Sequence, residues 1–157
     1  MVADSEINAF VNAYCRLRDK QYAVYGRYAK QYNLTANELF VLDILWFSSE
    51  GCTQKEICER LSANKQTVAA ITNRFFNKGY VTLNEYAKDR RNKLIRFTES
   101  GSAYAEKIIP PAAEAENLAM SGLGLKAVRE LVKLTTAFLD NMEKEFKNIK
   151  ERRYGIL

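Results

Sequence analysis

The sequence predicts a mainly α-helical chain with a small β wing: a helix-turn-helix and a hairpin at the centre, and long helices at both ends. Three observations carry this. Apolar residues recur at three-and-four spacing over long stretches near both termini. In the middle, "TQKEICERLSANKQTVAAITNRFFNKG" holds two short helical segments separated by a tight turn. Directly after it the period changes to two on either side of the charged run "AKDRRNK".

Taken in order, Ile7, Phe10, Val11, Tyr14 and Leu17, then Val24, Tyr25, Tyr28 and Tyr32, mark one face of a long helix, and no Pro or Gly interrupts it before Gly26. "TANE", Thr35 to Glu38, is a capping box. It opens a helix through Leu39, Leu42, Leu45 and Trp46, expected to end in "SSEG" at Gly51. A second capping box, "TQKE" at Thr53 to Glu56, begins a short helix with Ile57 and Leu61 inward. The turn "SAN" makes Asn64 the N-cap of a third helix, Lys65 to Lys78, stopped by Gly79. Two strands follow: Val81 and Leu83 alternate with Thr82 and Asn84, and Leu94, Arg96 and Thr98 alternate with Ile95 and Phe97, with a basic loop between them. Downstream, Ser102 to Met120 and Leu125 to Ile149 read as two more helices divided by "SGLG", the first kinked or interrupted at Pro110 and Pro111. Apolar faces on the terminal helices exceed what the small central unit can cover, which points to a homodimer.

Composition narrows the chemistry. The 157 residues, 47% apolar, are enough for one domain with extensions and a buried core. There is no histidine, so the usual proton shuttle near neutral pH is missing, and no phosphate-binding glycine loop is present. Cys15, Cys52 and Cys58 are too few for a metal cage. An enzyme is therefore disfavoured, and no cofactor or metal is expected. The acidic start and the absence of an apolar run of about 18 residues argue for a cytoplasmic protein that does not meet a membrane.

The net charge of +5 is unevenly spread: residues 1–59 carry −2, residues 60–96 carry +7 and residues 97–157 carry 0. A basic excess confined to one short segment suits a polyanion, because each neutralised phosphate releases counterions. On the third helix Val68, Ile71 and Phe75 share one side, and Gln66, Ala70, Asn73 and Asn77 share the opposite side. Amides around a small Ala suit a major groove, where Gln or Asn pairs with adenine and Ala leaves room for a thymine methyl. Lys65, Arg74 and Lys78 flank that face at the height of phosphates. The hairpin tip, with Lys88, Arg90, Arg91 and Lys93, is placed to reach the backbone or a narrow minor groove. Asp89 can hold Arg91 extended through a charge-assisted hydrogen bond.

From Leu34 to Gly101 the chain resembles the multiple-antibiotic-resistance regulator (MarR) family of winged-helix transcription factors. The likeness rests on "LTANELFVLDIL", "TQKEICERLSANKQTVAAITNRFFNKGYV", "KDRRNK" with Asp89 and Arg91, and "FTESG". It implies a winged helix-turn-helix DNA-binding domain at 35–101, an N-terminal dimerisation helix at 1–34 and C-terminal dimerisation helices at 102–157. It also implies a recognition helix in which Asn64, Lys65, Gln66, Thr67, Ala70, Asn73, Arg74 and Lys78 approach double-stranded DNA. On the wing the corresponding residues are Lys88, Asp89, Arg90, Arg91 and Lys93. Phe76 departs from the family's usual acid, and Leu83 and Asn84 from its basic pair, so phosphate contacts at the wing stem are expected to be weaker.

The expected function is a dimeric regulator reading an inverted-repeat operator, a repressor released by a small aromatic or amphipathic effector. Tyr22, Tyr25, Tyr28 and Trp46 are the candidate effector-lining residues, with plain core as the competing reading. Two alternatives stand beside this. One is peroxide sensing at Cys15, which resembles in position the sensing cysteine of the organic-hydroperoxide branch. The other is a winged-helix module that docks on protein and does not read DNA.

Overall fold

The computed structural model describes residues 2–86 and 89–154, with side chains for 5–84 and 93–149. The order of elements is α1 (Val2–Lys30), α2 (Ala36–Trp46), β1 (Cys52–Thr53), α3 (Gln54–Leu61), α4 (Lys65–Asn77), β2 (Val81–Tyr86), β3 (Asp89–Phe97), α5 (Glu99–Glu106), α6 (Ile109–Ser121) and α7 (Leu125–Tyr154). The chain divides into two compact units, Met1–Pro110 and Pro111–Leu157.

Local signals place most of the first unit. Both capping boxes are formed: Glu38 N donates to Thr35 Oγ1 at 3.2 Å and Glu56 N to Thr53 Oγ1 at 3.3 Å, while each glutamate accepts from its own threonine amide at 2.7 Å. Thr67 N donates to Asn64 Oδ1 at 2.8 Å, so Asn64 is the N-cap of α4. The core gathers Leu39, Val41, Leu42 and Leu45 of α2, Ile57 of α3, Val68, Ile71 and Phe75 of α4, Val81 and Ile95 of the sheet, and Ala29, Ala105, Ile108 and Ile109 around them.

Several boundaries differ from expectation. α2 stops at Trp46, well before Gly51, where Phe47 N bonds back to Asp43 O. Gly51 has another task. With φ of +83° it passes so close to β3 that a Cβ would stand 2.6 Å from Ile95 O. That approach lets Cys52 and Thr53 pair with Ile95 and Leu94, adding a strand that no periodicity signals and giving a sheet of order β1-β3-β2. The hairpin is longer and its loop shorter than expected. β3 already begins at Asp89, which pairs with Tyr86, and an irregularity follows Glu85. Ladder bonds come from the backbone, so a run of charged residues does not exclude a strand.

The helix expected from Ser102 starts at Glu99, because Thr98 Oγ1 caps it by accepting from Gly101 N at 3.0 Å. It breaks at Lys107 and Ile108, just ahead of Pro110 and Pro111, which sit in the first turn of α6 where a missing N–H costs nothing. α7 runs on to Tyr154, beyond the expected Ile149. Its apolar positions Leu131, Val132, Leu139 and Phe146 are exposed, as are Ile7, Phe10 and Leu17 on α1. Among the described residues no helix is long and apolar enough to cross a membrane, and no cluster of His, Cys, Asp or Glu is placed to hold a metal.

Candidate nucleic-acid interface

The interface is built on α4. Val68 and Phe75 are fully buried, with Ile71 and Thr72 beside them, and this fixes which side of the helix faces outward. Gln66, Ala70, Asn73 and Asn77 are all exposed on that outer side, as the spacing predicts. Lys65 and Lys78 are exposed at its two ends, and Thr67 is half-buried behind Asn64. Lys78 Nζ lies 5.9 Å from the centre of the Tyr80 ring, which itself stacks on Tyr104 at 4.4 Å. Gln54 Nε2 donates to Lys65 O at 2.9 Å, tying the start of α3 to the start of α4. Gln54, Lys55, Cys58 and Lys65 line one small cleft beside this tie.

Arg74 behaves differently from the other flanking cations. Its Nη1 donates to Glu38 Oε1 at 2.6 Å, and Glu38 is buried. Glu38 thus ties α2 to the edge of the candidate face, a link the sequence reading missed. The capping box marks Glu38, but the partner lies 36 residues away and no local pattern announces it.

On the wing, Lys93 is exposed and pairs with Glu85 in the register. Lys88 and the side chains of Asp89, Arg90 and Arg91 lie outside the described residues. The stem that carries them is well anchored. Thr98 Oγ1 and Ser100 Oγ donate to Gly79 O at 2.6 and 3.0 Å, and Thr98 N donates to Tyr80 O at 3.0 Å. At Gly101 a Cβ would overlap the Tyr80 carbonyl, so the backbones of α5 and of the turn after α4 are in direct contact.

Among the candidate effector residues, Tyr22, Tyr25 and Tyr28 each engage a neighbouring element within the chain. The Tyr22 hydroxyl is 3.2 Å from Asn37 Oδ1, to which it donates, and the Tyr25 ring meets Phe40 edge-on at 5.1 Å. Tyr28 donates to Ile108 O at 2.7 Å; its phenol is pushed up to about 12, first by burial and then by its neighbour Tyr32. Trp46 lines a cleft of about 490 Å³ with Ser48, Arg96, Phe97 and Thr98. Tyr22 and Tyr25 share Phe40 of α2 as a ring neighbour, and Tyr22 remains exposed. Cys15 is half-buried on α1, and nearby Arg18 is engaged with Asp19 at 2.9 Å. Cys58 packs against the core as a small apolar residue.

A family model described as a winged helix DNA-binding domain matches residues 34–101. No curated protein matches the sequence. Among solved structures, the chain is similar to NMB1585, a MarR family regulator from Neisseria meningitidis, at 28% identity and a TM-score of 0.72, covering 92% of this chain and 96% of that one. It shares the fold of a MarR transcriptional regulator from Methanosarcina mazei at 21% identity and a TM-score of 0.67, over 87% and 98% of the two chains. It shares the fold of Staphylococcus aureus MepR, solved in complex with DNA, at 20% identity and a TM-score of 0.72, over 85% and 97%.

Proposed function

We propose that this chain is a winged-helix transcriptional regulator of the MarR family, not an enzyme, that binds an inverted-repeat operator as a homodimer and acts as a repressor. The observation that carries this reading is the outer face of α4, where Gln66, Ala70, Asn73 and Asn77 stand exposed above a fully buried Val68 and Phe75. A solvated helix has no need of amides around an alanine; a helix set into a major groove does. In this reading Asn64, Lys65, Thr67 and Lys78 steady the helix on the backbone. Arg91 at the wing, oriented by Asp89, enters the minor groove, with Lys88, Arg90 and Lys93 on phosphates.

Residues 1–34 and 102–157 are the dimerisation segments in this proposal and 35–101 the DNA-binding domain. Exposed Ile7, Phe10 and Leu17 on α1 and Leu131, Val132, Leu139 and Phe146 on α7 support it, because so much exposed apolar surface is unusual for a monomer. The cleft beside Trp46 supports release by a small aromatic or amphipathic effector.

Selecting bound sequences from a random duplex pool tests the proposal. Recovered sites should be inverted repeats with half-site centres about 10 base pairs apart and A·T pairs prominent in each half. The logarithm of the binding constant should fall with the logarithm of salt by about 0.9 per neutralised phosphate. Recovered sites without twofold symmetry, or binding indifferent to salt, would overturn it.

A further inference from the structure

Arg74 sits between Asn73, on the exposed amide face, and Phe75, which is fully buried. From that border its guanidinium turns toward α2 and meets Glu38 Oε1 at 2.6 Å. Glu38 is 2% exposed, and its other oxygen, Oε2, accepts from Thr35 N at 2.7 Å and from Thr35 Oγ1 at 2.9 Å. Both carboxylate oxygens are thereby engaged, one on the cap of α2 and one on α4. Apolar contacts between α2 and α4 are non-directional and tolerate small slides and rotations. A short charge-assisted hydrogen bond to a carboxylate held by its own cap tolerates far less. Reading base edges demands side chains placed within about 0.5 Å.

We propose that Glu38 is a positioning residue for DNA recognition: it anchors Arg74 and so sets the seat of α4 on the start of α2, the pair acting through the helix rather than on a phosphate. This rests on the reading of α4 as the groove-reading helix. The competing role for Arg74 is a phosphate contact at the flank of α4, and the two roles give opposite signs at Glu38. If Arg74 served a phosphate, the Glu38 carboxylate would be an adverse charge that competes for it. As an anchor, Glu38 is required.

The test uses full-length protein, a duplex selected by the wild type, and a shuffled duplex of the same composition, each titrated across salt. The variants are Glu38→Gln, Arg74→Gln and the double substitution, with thermal melts on all three. Gln at 38 still offers a carbonyl to Thr35 N, so the cap is retained while the ion pair is lost. The expected result is a loss of about tenfold in affinity for the selected duplex in each single variant, the scale of one charge-assisted hydrogen bond. Affinity for the shuffled duplex and the salt slope should stay as in the wild type, and the double variant should be no worse than either single.

Tighter or unchanged binding by Glu38→Gln overturns the proposal. So does a salt slope that drops by about 0.9 per subunit in Arg74→Gln, the signature of a lost phosphate contact. Should the melts show that Glu38→Gln is unfolded, Arg74→Lys decides: it keeps the charge for a phosphate but loses the planar fork. Weaker specific binding at constant slope then supports the anchor, and wild-type binding overturns it. A wild type with no salt-sensitive duplex binding sinks the functional reading itself, whereas normal wild-type binding with indistinguishable variants sinks only the anchor.

Discussion

α4 and α7 are both amphipathic helices with apolar residues at three-and-four spacing, yet those residues end in opposite environments. On α4, Val68 and Phe75 are completely buried beneath α2, α3 and the sheet. On α7, Leu131, Val132, Leu139 and Phe146 remain exposed. Periodicity identifies a face that needs covering and is silent about what covers it. Within the first unit the cover is supplied by elements close in sequence, through short connections and strong caps. For α7 the exposed face is matched in kind by Ile7, Phe10 and Leu17 on α1, all residue types that a second copy would bury.

The sharpest way to break this contrast is to truncate one ring in each helix. Phe75→Ala should destabilise the fold by about 3–5 kcal/mol, as removal of a fully enclosed ring does. Phe146→Ala should cost a fold monomer about 0.5 kcal/mol or less. Denaturant unfolding at several protein concentrations measures both. An equal cost at high dilution would mean that α7 is covered within one chain. Leu131→Glu combined with Leu139→Glu extends the test, since it should turn the proposed dimer into a monomer in sedimentation while leaving far-UV circular dichroism helical.

A second prediction concerns the joint between α4 and α5. Gly101→Ala should cost about 1–3 kcal/mol, the range for forcing extra atoms into a packed site, because its Cβ would meet the Tyr80 backbone rather than a movable side chain. Gly26→Ala, where a Cβ meets nothing within 4 Å, is the control and should be neutral or slightly stabilising. Thermal melts that rank the two alike would remove the joint.

The wing offers a third test, on binding rather than stability. Arg91→Ala should weaken operator affinity by more than one ordinary phosphate contact. Asp89→Ala should also weaken it, although it removes an acid from a DNA-facing hairpin, and its cost should vanish when Arg91 is already absent. Tighter binding by Asp89→Ala would reject the oriented arginine.

The smallest effect is the response to alkali. The Tyr28 phenol is pushed up to about 12 in the fold, against an ordinary value near 10. A folded value above the unfolded one means stability that is fully present below about pH 10 and lost as pH rises toward 12. Tyr28→Phe should flatten that loss. It should also cost about 1 kcal/mol at neutral pH, because Ile108 O loses its donor. Urea midpoints across pH 7–12 should show a constant gap up to about pH 10 that narrows above it, and a gap that stays constant to pH 12 would reject the raised phenol.

Glu56 sharpens a related comparison between the two capping boxes. Its carboxyl is held below the usual range by the Thr53 amide and then by the Thr53 hydroxyl, and it stays exposed. Glu38 occupies the same place in an identical motif but is buried and bridges to Arg74. The four-residue pattern made both caps legible, because every partner in a cap lies within three residues. It could not tell that one of the two glutamates would pair with Arg74 on α4.

The sequence by itself determined the helical starts at Thr35, Thr53 and Asn64, the inward and outward faces of α4, and the existence of the wing. Each depends on neighbours a few residues apart, where chain connectivity already supplies proximity. The tertiary structure alone decided the strand β1, the length of the hairpin ladder, the packing of Tyr22 and Tyr25 on Phe40, the bond from Tyr28 to Ile108 O, and the pairing of Arg74 with Glu38. Those contacts join segments tens of residues apart, or need a glycine such as Gly51 to let two backbones approach, and local propensity carries no record of which distant segment will arrive.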